Sequence, residues 1–414
     1  MKVITDLHIH SKYSRACSKN LTIDNIDKWC AWKGINVVST SDFTHPAWFS
    51  HLKEELKETE NGLYVRKKDS LGTRFIFGTE ISCIYSKGGK VRRIHMLVFV
   101  PDIASAKKVI SYLDTIGNLR ADGRPILGLD VKELVKRVMD IHEDAYCIPA
   151  HAWTPWFAVF GSKSGFDSLQ ECFEEEQKHI FAIETGLSSD PKMNRYLSKL
   201  DNITMISNSD AHSLPKLGRE ANVFDLKNIS YKNIRNAIKK GDPKQFLYTI
   251  EFFPEEGKYH LDGHAKCKVS FEPAETKKHK NICPQCGKEL VIGVLNRVDK
   301  LSDRKKEKMN GKIPFKSIIP LQEIIAEAFS KGVNTKTVQT EYENIIKNIG
   351  NEFYVLLDAP LSEMKGKTHG TIIEGVKRVR EGNVIIEPGY DGIFGKIKLF
   401  KKDEVIGKKQ EKLL

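Results

Sequence analysis

Six side chains suited to holding a metal stand at the ends of short apolar runs in this 414-residue chain: His8, His10, Glu80, His151, Asp210 and His212. Val3-Ile4 leads into Asp6-Leu7-His8-Ile9-His10, and Phe75-Ile76-Phe77 leads into Gly78-Thr79-Glu80. Ile148-Pro149-Ala150 precedes His151, and Met205-Ile206 precedes Ser209-Asp210-Ala211-His212. The same rhythm brings Asp42 and His45 after Val37-Val38, His95 after Arg92-Arg93-Ile94, and Glu184 after Phe181-Ala182-Ile183. Imidazole and carboxylate suit Zn, Mn or Fe, and a carboxylate such as Glu80 can bridge two ions. Alternation along a strand turns His8 and His10 to one side. Two ions about 3.5–4 Å apart can hold a hydroxide nucleophile and clamp both oxygens of a phosphoryl transfer. A lone strand histidine is more often structural; recurrence at one strand end after another points instead to a multi-metal centre.

A second constellation lies downstream. His264-x-x-Cys267 is followed, after a fifteen-residue gap, by Cys283-Pro284-x-Cys286-Gly287. Paired ligands at this spacing indicate a tetrahedral structural Zn²⁺ site. The spacing to Cys267 favours His264 as the fourth ligand, with His260 the alternative. Cys17, Cys30, Cys83, Cys147 and Cys172 are scattered and read as ordinary buried thiols, so a reducing, cytoplasmic setting is expected.

These groups need a frame. Apolar runs of this length, bounded by turn residues and separated by helix-like segments, read as buried parallel strands of an α/β fold. In such an arrangement the C-terminal strand ends converge on one mouth. Helices are expected over Leu21–Lys33, Ala104–Gly117, Val131–Ile141, Phe166–Lys178 and Tyr231–Lys240, with Thr22 or Asp24 and Asp167-Ser168 as start signals. Later, Leu321–Ser330, Glu341–Ile349 and Ile372–Arg380 read as helical, and Asn383 to Ile386 as a strand before Pro388-Gly389-Tyr390-Asp391-Gly392. The expected division is 1–253, a zinc module over 254–300, and a basic part over 301–414.

Length provides for two or three domains. No apolar run approaches a membrane span, and a strand begins almost at residue 1, leaving no room for a signal peptide. A net charge of +12 favours a polyanionic partner, although a Lys-rich solvated surface would give the same number. The densest basic stretches are 266–280, 304–316 and 401–412.

Asp6-Leu7-His8-x-His10-Ser11, Ser41-Asp42, Gly78-x-Glu80, Pro149-Ala150-His151 and Ser209-Asp210-Ala211-His212 together resemble the PHP (polymerase and histidinol phosphatase) superfamily. Longer stretches resemble one branch of it, the endonuclease Q family. They include Ser82 to His95, Pro149 to Phe157 with Gly161 to Asp167, Glu184 to Pro191, and Leu217 to Asn222. The resemblance implies a distorted seven-stranded β/α barrel, then a zinc-binding module and a mostly helical C-terminal domain. It implies hydrolysis of the DNA phosphodiester 5′ of uracil, hypoxanthine, xanthine or an abasic site, leaving 3′-hydroxyl and 5′-phosphate ends. Residue by residue, His8, His10, Glu80 and Asp210 would hold one metal, and Glu80, His95 and His151 a second. A third commonly uses a histidine directly after the Asp of the second motif. Phe43 stands there, so Asp42 or His45, with His212, would have to substitute.

In that light Trp153, Trp156 and Phe157 are candidates to hold an extruded base. Ser162, Lys163 and Ser164 are candidates for phosphate contacts, and Arg92 and Arg93 for tracking the backbone; Glu184 is a substrate or supporting residue. The expected cofactors are Zn²⁺, with Mg²⁺ or Mn²⁺ for catalysis. The expected partner is damaged double-stranded DNA, met by a monomer with no membrane contact; repair or replication proteins are further candidates. The alternatives are a histidinol-phosphate-type phosphatase, which would need neither a zinc module nor a basic tail, and a non-catalytic DNA-binding protein.

Overall fold

Thirteen strands build the part of the chain that carries the candidate ligands: β1 (Lys2–Asp6), β2 (Val37–Ser39), β3 (Leu56–Glu58), β4 (Tyr64–Arg66), β5 (Arg74–Ile76), β6 (Gly78–Lys87), β7 (Lys90–Phe99), β8 (Ile126–Leu127), β9 (Tyr146–Pro149), β10 (Ala182–Glu184), β11 (Thr204–Ile206), β12 (Ala221–Asp225) and β13 (Phe246–Glu251). After them come β14 (Asp262–His264), β15 (Val269–Phe271), β16 (Phe315–Ser317), β17 (Ile385–Glu387) and β18 (Lys396–Lys398). This computed structural model describes residues 1–59, 62–401 and 404. Apart from Lys401 and Glu404, the basic stretch 401–412 lies outside the described residues.

The ladders join into an eight-stranded sheet in the order β16-β13-β12-β1-β2-β5-β4-β3, a four-stranded sheet β8-β6-β7-β9 and the pair β10-β11. Strands β1, β2 and β5 pair in parallel, as do β10 and β11. The expectation of parallel strands throughout is corrected elsewhere. β6 and β7 form a ten-residue antiparallel hairpin, and β9 and β12 run antiparallel to β7 and β1. The side-chain alternation that reveals a strand carries no sign of its direction.

Helices form where caps and apolar spacing agree. Asp130 accepts a bond from Lys132 N at 2.9 Å, opening the helix Val131–Ile141, which buries Val131, Leu134, Val135 and Val138 on one face. Ser230 does the same for Tyr231–Lys240 through Asn233 N at 3.1 Å. The helix expected over Phe166–Lys178 is shorter. Ser168 caps Leu169–Phe173, then Glu174 takes φ 51° and the chain tightens into a 3₁₀ turn over Glu174–His179.

The C-terminal part contains the helices Leu321–Ala328, Lys336–Asn348, Leu361–Met364 and Gly370–Glu381. It is not laid beside the first sheet but joined to it, because β16 pairs with β13 and forms the outer strand. Lys33, at the end of the helix Ile23–Lys33, makes a buried 2.7 Å ion pair with Glu352, which also accepts from the Tyr342 hydroxyl at 2.8 Å and from Leu321 N at 3.1 Å. Among the described residues no helix is long and apolar enough to cross a membrane.

Candidate metal centre and adjoining cavity

Strand ends from both sheets bring the expected ligands together in two sets that share one carboxylate. Ligand atoms of His8, His10, Glu80 and Asp210 lie within 4.8 Å of one another, as do those of Glu80, His95 and His151. Glu80 divides its oxygens between the sets. Oε1 lies 2.6 Å from His95 Nδ1 and 3.2 Å from His151 Nε2. Oε2 lies 3.3 Å from His10 Nε2 and 3.5 Å from His8 Nε2. Apart from the partly exposed Asp210, all these side chains are buried.

The supporting residues explain why the ligands point as they do. Glu184 is fully enclosed; its carboxylate meets His8 Nδ1 at 3.0 Å and accepts from His151 N at 2.8 Å and Asn208 Nδ2 at 2.8 Å. That leaves His8 Nε2 facing the centre, buried and without a hydrogen-bond partner. Asp42 faces His10 Nδ1 at 3.3 Å and accepts from Ser11 N, Ser11 Oγ and Ser14 Oγ. Asp6 accepts from Ser209 N and Oγ and from Gly218 N, so the DLHIH segment also fixes the loop that presents Asp210. Burial pushes the Asp6 carboxyl up to about 6 despite these bonds. Strain collects here as well. His151, Asp210, Ser41 and Asp42 all adopt positive φ, rare outside glycine and typical of functional sites. Gly186 is required beside them, since a Cβ there would meet His151 Cβ at 2.5 Å.

The electrostatics suit cations. Burial opposes charge on His8, yet Glu184, Glu80 and Asp210 outweigh it and hold its pKa well above the ordinary value. Burial would raise Glu80, but the charges of Arg124 and His8 keep it well below the usual carboxylate range. Burial drives His95 down to about 4 in spite of Glu80, leaving it neutral and ready to ligate. The residues therefore fit a pair of divalent ions: an orphaned imidazole nitrogen faces two carboxylates, and a third carboxylate backs the ring. Replacing Glu184 with Gln is expected to weaken metal binding ~10- to 100-fold, because groups that orient a ligating histidine typically contribute that much. Calorimetric titration of apo protein with Mn²⁺ would show it; unchanged affinity would refute the orienting role.

Asp42, His45 and His212 belong to neither set, and no third cluster containing them forms among the described residues. Asp42 orients His10, His45 stacks on Tyr13 at 4.4 Å, and His212 Nδ1 approaches Asp210 O at 2.8 Å. Of the candidates for DNA contact, four are turned inward. Arg92 is buried against the Phe166 ring at 3.9 Å and donates to Gly165 O. Trp153 is buried, donating to Asn194 Oδ1 at 2.7 Å, and Ser164 Oγ bonds Arg93 O at 3.3 Å. Glu184, enclosed behind His8, is the fourth. Arg93, Ser162 and Lys163 are exposed, and Phe157 packs on His95 at 4.6 Å. Trp156 is 41% exposed and lines a cavity of about 580 Å³.

That cavity is walled by Trp156, Tyr259, His260, Lys216, Arg219 and Glu256 among others. It adjoins the metal sets through two contacts. Thr154, also in its wall, lies 3.2 Å from His151 Nδ1, and Arg219 Nε donates to Ser209 O at 2.8 Å beside Asp210. The sequence reading missed Arg124, whose guanidinium sits 3.1 Å from Glu80 Oε2. It lies in the turn Asp122-Gly123-Arg124-Pro125, off any strand end, where nothing in its spacing marks it.

In the zinc module, His264, Cys267, Cys283 and Cys286 converge into one four-ligand group. His260 stands outside it, buried in the cavity wall and pushed down to about 4 by burial. Burial would raise Cys283, but the backbone N–H groups of Gln285 and Cys286 bring it to about 7, so its thiolate forms near neutrality. Arg297, in the helix Val294–Leu301, donates to Phe160 O, Phe166 O and Asp167 Oδ1, tying this module to the loop after His151.

Comparison with known proteins agrees with this arrangement. Residues 192–243 match the PHP-associated family, and residues 320–383 match the MJ0043 C-terminal domain family. The uncharacterized protein MJ0043 of Methanocaldococcus jannaschii is 36% identical over 262 residues, 62% of this chain but only 32% of that protein. The uncharacterized protein YqxK of Bacillus subtilis is 30% identical over 415 residues, 96% of this chain and 99% of YqxK. Among solved structures, the lesion-specific endonuclease PfuEndoQ from Pyrococcus furiosus superposes with a TM-score of 0.86 at 30% identity, covering 100% of this chain and 98% of that one. Endonuclease Q in complex with a 27-mer duplex carrying an abasic lesion superposes at 0.85, also at 30% identity, with both chains covered in full. Sharing its whole length with these endonucleases at 30% identity, this chain belongs to the endonuclease Q family.

Proposed function

We propose that the protein is a metal-dependent DNA-repair endonuclease that hydrolyses the phosphodiester 5′ of a deaminated base or an abasic site. The observation that carries this is the Glu80 carboxylate shared by two imidazole-rich sets, with a cavity of nucleotide size adjoining them through Thr154 and Arg219. The cavity lies within the ~300–1,000 Å³ range of small-molecule pockets. The endonuclease Q complex with abasic-lesion DNA supports duplex DNA as the substrate.

In this reading the strands form a distorted seven-stranded barrel over 1–253, followed by a zinc module to residue 300 and a DNA-binding part to 414. His8, His10, Glu80 and Asp210 hold one ion, and Glu80, His95 and His151 the other. Zn²⁺, Mg²⁺ and Mn²⁺ all suit these donors. Such ions supply charge neutralisation at the phosphoryl group and acidify bound water. The chain's own groups do the rest. Glu184 and Asp42 fix the His8 and His10 rings, and Arg124 offers a guanidinium to a phosphate oxygen. Trp156 and Tyr259 give an extruded base aromatic surface, and Lys216 and Arg219 give it donors that a keto oxygen accepts. His264, Cys267, Cys283 and Cys286 hold a structural Zn²⁺.

The test uses an end-labelled duplex with one deoxyuridine or deoxyinosine, beside its undamaged twin, in Mg²⁺ or Mn²⁺. A single nick 5′ of the lesion, absent from the twin and abolished by EDTA, is expected. Equal cutting of both duplexes would remove the repair assignment. Hydrolysis of a simple phosphomonoester without any nicking would make the protein a phosphatase.

A further inference from the structure

The hairpin of β17 and β18, with the segment Pro388-Gly389-Tyr390-Asp391-Gly392 at its turn, takes no part in the chemistry above. Its most unusual residue is Phe394, which is 68% exposed, more than any other large apolar side chain among the described residues; Ile393 beside it is 43% exposed. Ile385 and Ile386 on the same hairpin are exposed as well, so the ring is not a lone surface residue but part of a concentration of exposed apolar side chains, the feature that marks interaction sites.

The ring is not exposed because the hairpin is loose. Gly389 N donates to Glu255 O at 2.8 Å, Gly392 N to Lys258 O at 2.8 Å and Gly395 N to Glu256 O at 3.1 Å. Gly395 has to be glycine for this approach, since a Cβ would lie 2.1 Å from Glu255 O. Tyr390 and Ile393 close the turn on each other through two backbone bonds. Asp391 accepts from Ala265 N at 2.6 Å, which fastens the tip to the zinc module. Phe394 and Gly395 belong to the rim of the cavity, and the Lys258 ammonium stands 5.7 Å from the Phe394 ring. A rigid apolar side chain thus projects at the mouth of the cavity with a cation beside it.

We propose that Phe394 is a wedge that enters the base stack at the place vacated when the damaged nucleotide turns into the cavity, with Lys258 meeting a flanking phosphate. This rests on the endonuclease reading above. Apolar side chains inserted between base steps stabilise an unstacked duplex, and extrusion is hardest for a base that is still paired. Phe394 is therefore a positioning residue, whose contribution depends on the state of the DNA.

Single-turnover nicking by the wild type, Phe394→Ala and Phe394→Leu separates the roles. The substrates are uracil paired with adenine, uracil in an unpaired bubble, and an abasic site. Phe394→Ala is expected to lose at least tenfold more rate on paired uracil than on the bubble, and Phe394→Leu to recover most of it. 2-Aminopurine beside the lesion should brighten on binding of the wild type and not of Phe394→Ala. Equal loss on paired and unpaired uracil, with the abasic site spared, would overturn the wedge and make Phe394 a wall of the base cavity. No loss on any substrate would also overturn it while the endonuclease reading stands. A wild type that nicks none of the three would overturn that reading itself.

Discussion

A Glu80→Gln protein is expected to nick lesion DNA at least ~10³-fold more slowly than the wild type, a loss of roughly 4 kcal/mol of transition-state stabilisation. Glu80 is the only side chain common to both ligand sets, and Arg124 also depends on it. Glutamine keeps the volume, so the fold should survive. It removes the negative charge that faces His8, His10, His95 and His151 within 3.5 Å. The shared position then holds an amide, a weak ligand, and at least one ion should be lost. Lesion-DNA affinity should change little, because the cavity wall and exposed basic residues are untouched. Rapid-quench nicking, anisotropy with labelled DNA, and metal analysis would check the three statements. A rate within tenfold of the wild type would show that the shared carboxylate is not the centre of the chemistry.

The second large effect concerns the zinc module. Its apolar cluster consists of Val269, Cys283 and Leu290, with Cys267 and Phe271 partly buried against them. A core that small does not hold a module of this size by burial alone. A structural Zn²⁺ supplies about 10–16 kcal/mol of apparent binding energy in zinc-finger peptides, and that energy is folding energy. Cys283→Ser is therefore expected to lose one zinc per chain and become protease-sensitive between residues 260 and 291. Because Arg297 and Asp391 link this module to the loop after His151 and to the β17–β18 hairpin, lesion nicking should fall as well. With Cys283 titrating at about 7, metal binding should also weaken as the pH drops below neutrality and protons take the thiolate. Full zinc content and unchanged proteolysis would make the four residues ordinary thiols and a surface histidine.

The ligand sets were legible because few residue types bind metals and these recur where strands end. The convergence of His264, Cys267, Cys283 and Cys286 was legible from spacing alone. Helices with an Asp or Ser cap and a continuous apolar face, such as Val131–Ile141, were found to the residue. Phe166–Lys178 was not, since nothing local announces the turn at Glu174. Strand direction was hidden because parallel and antiparallel strands share one periodicity. For Arg92, Trp153 and Ser164, which turn inward, closeness in sequence to His95 or His151 stood in for closeness in space. The pleat separates Arg92, which shares a face with Ile94, from Arg93, which shares one with His95. Arg124 meets Glu80 from 44 residues away, and the cavity wall draws on segments from Thr154 to Gly395, so both come together only through tertiary folding.

The strand β16 and the Lys33–Glu352 pair bear on how such a chain can be inherited and handled. A polypeptide stopped at residue 300 would keep every residue of the two Glu80 sets and all four of His264, Cys267, Cys283 and Cys286, yet lose the outer strand of its main sheet. It would also take Glu352 from Lys33 and expose to water the face of the first helix that Tyr342 and Asn351 cover. The C-terminal helices thus brace the part that carries the candidate metal ligands, so the two should melt in a single transition. Moving residues 1–300 into a new gene without the tail would deliver every candidate ligand on a scaffold too weak to display it.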